Sequence, residues 1–304
     1  MRKTKLTMTG GLLLMLLLAL TACKQKRNYF AELDPLIENN DTLGLKKLMA
    51  EWEQEGEKNG DYYVAQLGFH AFMGRSTGEQ LLEQMEEFLP DSLDDEERAY
   101  ARQLFGAMNA FDDSVMQKGF AFVDEGIKKF PDRLDLRLGK ADLLIQTYES
   151  EKAVDVVQGI IDRSVENKNG WYWEGDEKKE DGEDVMLEQL QDLFNSLYAN
   201  DDIEQCERLA DIVLGRYPNH RTFRTDLAVV RTLNEDYEGA RTLLEELHIE
   251  QPDDDIITAN LAHVLLETND SAKSLHLYQQ LLSSENEDVS SFAEQMVKEL
   301  TAKQ

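Results

Sequence analysis

Trp171, Tyr172 and Trp173 are the side chains best equipped for chemistry at a surface. Three adjacent aromatics in a polar stretch cannot all be buried by one helical face. Aromatic rings stack on sugars and anchor protein interfaces, so a ligand or partner contact is one expectation. The other is that the stretch folds back and buries the rings against neighbouring helices. Glu174–Asp184, just downstream, is mostly charge, which makes calcium the ion to test. With Gly182 set as the fixed glycine of a calcium loop, Glu177, Lys179, Asp181 and Glu188 fall first, third, fifth and twelfth. A lysine in a ligand position breaks that set, and a solvated charge run is the reading left. The five His are scattered with no His-x-x-x-His pair, so no zinc site is expected. No glycine-rich phosphate loop, nucleophile elbow or distinctive carboxylate pair appears. The expectation is therefore no enzyme, no metal and no cofactor.

The N-terminus carries a different kind of chemistry. Arg2, Lys3 and Lys5 precede an apolar run, Leu12–Leu20, and then Leu20-Thr21-Ala22-Cys23. A basic head and an apolar stretch too short to span comfortably form a secretory signal peptide. Cys directly after Leu-Thr-Ala resembles the lipobox of bacterial lipoproteins. That resemblance implies cleavage after residue 22 and a diacylglycerol on the sulfur of Cys23, with Lys24–Arg27 as a short basic tether. Lys rather than Asp after Cys23 leans toward the outer membrane by the best-known sorting rule. The formal charge of −29 becomes about −32 without the leader's three basic residues. Such a chain repels phosphate backbones and anionic head groups, so nucleic acid is excluded and the anchor must supply membrane affinity.

The rest of the chain is organised by a repeat. Pro218 and Pro252 stand 34 residues apart, and another step of 34 reaches Asn286. Leu227, Ala228, Val230 and Leu243 return one period later as Leu261, Ala262, Val264 and Leu277. Phe223, Ala240, Leu244 and Leu247 likewise become Ile257, Ser274, Tyr278 and Leu281. Three- and four-residue spacing within each period predicts two amphipathic helices around a polar turn, Asn234–Asp236 or Thr268–Asp270. A helix pair of this period resembles the tetratricopeptide repeat, and Thr258-Ala259-Asn260-Leu261-Ala262-His263 matches that family's first helix. The resemblance covers 28–304 and is strongest over 187–286. It implies an all-α, right-handed solenoid of about six helix pairs with a capping helix near Val289–Ala302.

Upstream the pattern predicts helices over Leu33–Ile37, Leu43–Trp52, Tyr62–Phe72, Gly78–Leu89, Tyr100–Phe111, Met116–Phe130, Leu134–Thr147 and Glu151–Ile161, with an acidic insertion at Asp91–Glu97. Downstream it adds Leu187–Ala199 and Ile203–Tyr217. The organisation is thus a leader over 1–22, a tether over 23–27, degenerate repeats over 28–165, an insertion over 166–186 and clear repeats over 187–304. Cys206 lies one period before Ala240, where the repeat takes a small buried residue, so it reads as a packed thiol.

In tetratricopeptide proteins the first helices line a groove that holds a peptide or partner helix. Carried over, the resemblance implies three columns: Gln191, Thr225, Ala259; Asn195, Val229, His263; and Tyr198, Thr232, Leu266. This lining lacks the Lys and Asn set with which some relatives clamp a peptide's C-terminal carboxylate, so chaperone-tail binding is not expected. The bland alternative, packing against neighbouring turns, stands beside it. Arg224 and Arg231 occupy places that usually hold large apolar residues, so they either snorkel or shift the repeat. Thr42, Ser92, Ser114 and Ser271, each after Asp and before an apolar residue, resemble acceptors of periplasmic O-glycosylation. Asp and Ser/Thr are equally the residues of turns and N-caps. The function expected is a non-catalytic, membrane-anchored scaffold for envelope proteins. The rival is a carbohydrate-binding lipoprotein that uses the Trp171–Trp173 insertion.

Overall fold

Thirteen α-helices run through residues 27–76, 94 and 110–302, which are those that the computed structural model describes. Cys23, Ser92, the expected 78–89 helix, nearly all of the 91–97 insertion and most of the 100–111 helix lie outside the described residues. In chain order the helices begin with α1 (Leu33–Glu38), α2 (Thr42–Glu55) and α3 (Gly60–Gly74). Strands β1 (Arg75–Ser76) and β2 (Ala110–Phe111) lead to α4 (Asp113–Lys129), α5 (Leu134–Gln146) and α6 (Ser150–Glu166). Strands β3 (Tyr172–Trp173) and β4 (Glu177–Lys178) precede α7 (Gly182–Ala199) and α8 (Ile203–Arg216). The series closes with α9 (Arg221–Leu233), α10 (Tyr237–Glu250), α11 (Asp255–Glu267), α12 (Ser271–Leu281) and α13 (Glu287–Ala302). The chain is all-α, as its periodicity predicts.

One backbone turn, used five times among the described residues, joins successive helices. Asn40, Tyr148, Asp201, Glu235 and Asn269 all take φ between 51° and 62°. At each, three successive N–H groups bond back into the helix just finished. Asn234, Glu235 and Asp236, for example, donate to the carbonyls of Val230, Thr232 and Arg231. These bonds satisfy carbonyls that the helix end leaves open and reverse the chain. Asp41, Asp236 and Asp270 then cap the next helix through the amides of Gly44, Gly239 and Lys273. Asp201, Glu235 and Asn269 repeat at the sequence period of 34, so that period is written into the backbone.

Packing follows chain order from α7 onward: α7 on α8, α8 on α9, and so on to α13, which lies on α11 and α12. Small residues let the helices approach. Ala240 and Ser274 are fully buried, and Ser274 Oγ donates to the Ala262 carbonyl at 2.7 Å. Arg224 neither points to open water nor shifts the repeat. It is 5% exposed and reaches Glu246 and Glu250 of α10 at 2.9 and 2.8 Å. Arg231, half-buried, lies 3.6 Å from Glu207.

The first half departs from expectation. Ala110–Phe111 is not the end of a helix but a strand, antiparallel to Arg75–Ser76. That short ladder brings the end of α3 to the start of α4, and these two helices make an extensive direct contact. Among the described residues α3 therefore packs directly on α4. Gly126 permits the contact, since a Cβ there would meet Tyr63 Cβ at 2.6 Å. The helix over 151–161 runs on to Glu166, and α7 starts at Gly182, so the insertion narrows to 167–181. No helix among the described residues is long and apolar enough to cross a membrane.

Candidate interaction surface

The aromatic insertion folds back. Tyr172 N–H donates to the Asp132 carbonyl at 2.9 Å, and Lys179 N–H to the Trp171 carbonyl at 2.9 Å. The β3–β4 hairpin therefore lies along the turn that enters α5. At its tip Gly175, with φ +70°, donates its N–H to Asp61 Oδ1 at 3.0 Å. Asp61 belongs to α3, and the same oxygen accepts from buried Arg133 at 2.9 Å. Arg133 also meets Asp135 through Nε at 2.9 Å and Nη2 at 2.5 Å. The insertion is thus fastened to a helix 114 residues upstream.

This arrangement divides the three aromatics. Trp171 is fully buried in the core shared by α5 to α9, so it is a packing residue and not a ligand contact. Trp173 is half-buried against that core, with Lys179 Nζ 6.0 Å from its ring centre. Only Tyr172 turns outward, at 37% exposure, beside a hollow of about 270 Å³ lined by Lys129, Phe130, Pro131, Asp132 and Arg133.

The nine groove positions stand on α7, α9 and α11, and every one of them keeps some contact with solvent. Asn195 and Tyr198 are exposed; the ring of Tyr198 stacks 6.5 Å from Phe194. Thr225, Val229, Thr232, Ala259, His263 and Leu266 are partly exposed. The hydroxyls of Thr225 and Thr232 donate to carbonyls of their own helix, Arg221 and Ala228. Gln191 Nε2 donates to Asp226 Oδ2 at 2.8 Å, tying α7 to α9 across the surface. Burial pushes the Asp226 carboxyl above the usual carboxylate range.

The columns missed an acidic shoulder. A cleft of about 770 Å³ opens beside Gln191, lined by Glu183, Asp184, Glu188 and Asp192 with Arg216 and His220 opposite. Burial holds the His220 imidazole below its ordinary value, and its ring accepts from the Phe223 amide as a helix cap. Glu183 and Asp184 are legible only once α7 is known to begin at Gly182 instead of within the repeat proper. The shoulder suits a basic side chain of an extended segment, and the mixed column beyond it suits apolar and neutral ones.

Asp226 gives a pH test. Its raised folded value means the native state holds the proton more tightly than the unfolded chain. Stability therefore falls as pH rises from the ordinary carboxylate value through the raised one, and above that window the penalty is in full. Asp226→Asn keeps an acceptor for Gln191 and removes the charge. It is expected to raise the urea midpoint above the window and leave it unchanged below.

The remaining sequence candidates fall as follows. Cys206 is fully buried, its Sγ 3.8 Å from the Phe194 carbonyl, and burial pushes its pKa up to about 12. It is expected to resist a thiol reagent in the native protein and to react fully in urea, read as labelled mass. Thr42 and Ser271 open α2 and α12 directly after their capping aspartates. Ser114 is exposed near the start of α4 and donates to the true cap, Asp112, at 2.7 Å. Among the described residues no group of three or more His, Cys, Asp or Glu could hold a metal ion. No protein-family model and no curated protein matches this chain, so its function has to be argued from these surfaces.

Proposed function

We propose that the protein is a non-catalytic lipoprotein of the bacterial cell envelope, a tetratricopeptide-like scaffold that Cys23 tethers to a membrane, most simply the outer one. The observation that carries the reading is the row of positions on α7, α9 and α11, spaced one period apart and each at least partly open to solvent. Such a row offers one contact per repeat to an extended segment of a partner protein. The anchor would raise the partner's effective concentration at the membrane.

Mild in-cell crosslinking of the tagged chain tests this, with Cys23→Ala and a groove variant, Val229→Glu with Ala259→Glu, alongside. One dominant protein partner is expected, lost in both variants. Recovery of the partner by the groove variant at wild-type level would remove the groove from the reading. A correctly localised sample that recovers no specific protein would remove the scaffold.

The second reading, carbohydrate binding, now rests on Tyr172 and the hollow beside it. A glycan array read with Tyr172→Ala separates the two, because that substitution leaves the groove untouched.

A further inference from the structure

The outward side of α2 departs from the charge pattern of the chain. Leu43, Lys46, Lys47, Ala50 and Gln54 follow helical spacing and are all exposed, Leu43 at 78%. No carboxylate stands in that stripe, although the chain has 61 Asp and Glu against 32 Lys and Arg. The acids on its flanks are engaged, and Glu53, one turn beyond Ala50, accepts from Lys58 and Tyr62. Asp41 caps the Gly44 amide at 2.8 Å, and Glu51 accepts from Arg27 at 2.7 Å while lying 3.9 Å from Lys47.

Arg27 also fixes where the chain enters the fold. Its guanidinium meets both oxygens of Glu32 at 2.7 Å and lies 4.6 Å from the ring centre of Tyr29, which stacks on Trp52. Cys23 precedes Arg27 by four residues. Even fully extended, that length spans only about 14 Å. Arg27 sits on Glu51, one helical turn from Lys47, so the described chain begins beside the stripe of α2. In sequence, Lys24 and Lys26 stand within three residues of Arg27 and share its positive charge.

We propose that in the lipid-anchored protein the Leu43, Lys46, Lys47 stripe of α2 rests on the bilayer and orients the helix series on it. This rests on the lipoprotein reading above. The acyl chains supply the affinity, since the acidic chain as a whole is repelled by anionic lipid. The stripe supplies direction: Leu43 enters the headgroup boundary, and the two lysines meet lipid phosphates. The α13 end of the series is then the free end.

The test uses the full chain purified from membranes, carrying Ala50→Cys or Ser291→Cys labelled with a fluorophore. Cys206 is buried and Cys23 would be acylated, so the introduced thiol takes the label. The protein is placed in vesicles of phosphatidylethanolamine and phosphatidylglycerol containing a headgroup nitroxide lipid. Flotation with the vesicles reads the anchor by itself. The Ala50 probe is expected to be quenched several-fold more than the Ser291 probe on α13. Adding Leu43→Gln, Lys46→Glu and Lys47→Glu should lower quenching at Ala50 to the Ser291 level while the protein still floats. Flotation with equal quenching at the two probes would overturn the orientation and leave the anchor standing. Failure to float would overturn the anchor, and this inference with it.

Discussion

Replacing Arg133 with Ala is expected to cost about 3–5 kcal/mol of stability, the range for breaking a buried ion pair. Arg133 is 2% exposed and serves two carboxylates, Asp61 and Asp135, that are themselves largely hidden from water. Removing the guanidinium leaves both charges desolvated and facing one another, a penalty paired substitution would relieve. The backbone beside it leaves room for this side chain: a Cβ on Gly60 would meet the Arg133 guanidinium and displace it from its place. Arg133→Lys should recover only part of the loss, because an ammonium cannot offer the planar fork that Asp135 accepts at two oxygens. Arg133→Met combined with Asp61→Asn and Asp135→Asn should recover more. Urea midpoints, with slopes checked for constancy, measure all three. A loss below about 1 kcal/mol for Arg133→Ala, the value of an exposed pair, would mean that water reaches this network.

The second large effect is at Trp171. Trp171→Ala should destabilise by about 3–5 kcal/mol through lost burial and the cavity left behind. It is fully buried in the core that draws on α5 to α9, so the cavity would open inside that core. Trp171→Phe should cost far less, since no described residue accepts a hydrogen bond from the indole N–H. Tyr172→Ala should barely move the midpoint, because its ring is already partly in water. The comparison separates architecture from recognition at adjacent residues. A binding defect in Trp171→Ala that tracks its loss of stability reports folding, whereas one in Tyr172→Ala at full stability reports contact. If Trp171→Ala unfolded at the wild-type midpoint, the insertion would not pack as described.

Both effects depend on contacts that periodicity does not record. The repeat from 187 onward was legible because each helix meets its sequence neighbours, and the same small and large residues recur at every step. Leu227 with Leu261, and Ala240 with Ser274, occupy matching buried places for that reason. The columns implied by the resemblance fall at positions of the first helices that keep some contact with solvent. The acidic shoulder was not legible, because Glu183 and Asp184 come from an extra turn of α7 that belongs to no repeat.

By itself, then, the amino-acid sequence determined the all-α character and, from 187 onward, the helices and their polar turns, which follow from interactions within one period of chain. Tertiary structure alone decided that α3 pairs with α4 across residues 77–109 and that Asp61 meets Gly175 and Arg133. It also decided that Trp171 is core and Tyr172 surface. A contact between single residues 72 or 114 positions apart leaves no repeating trace. Three adjacent aromatics carry identical signals until a hairpin with its own hydrogen bonds turns one inward and the next out.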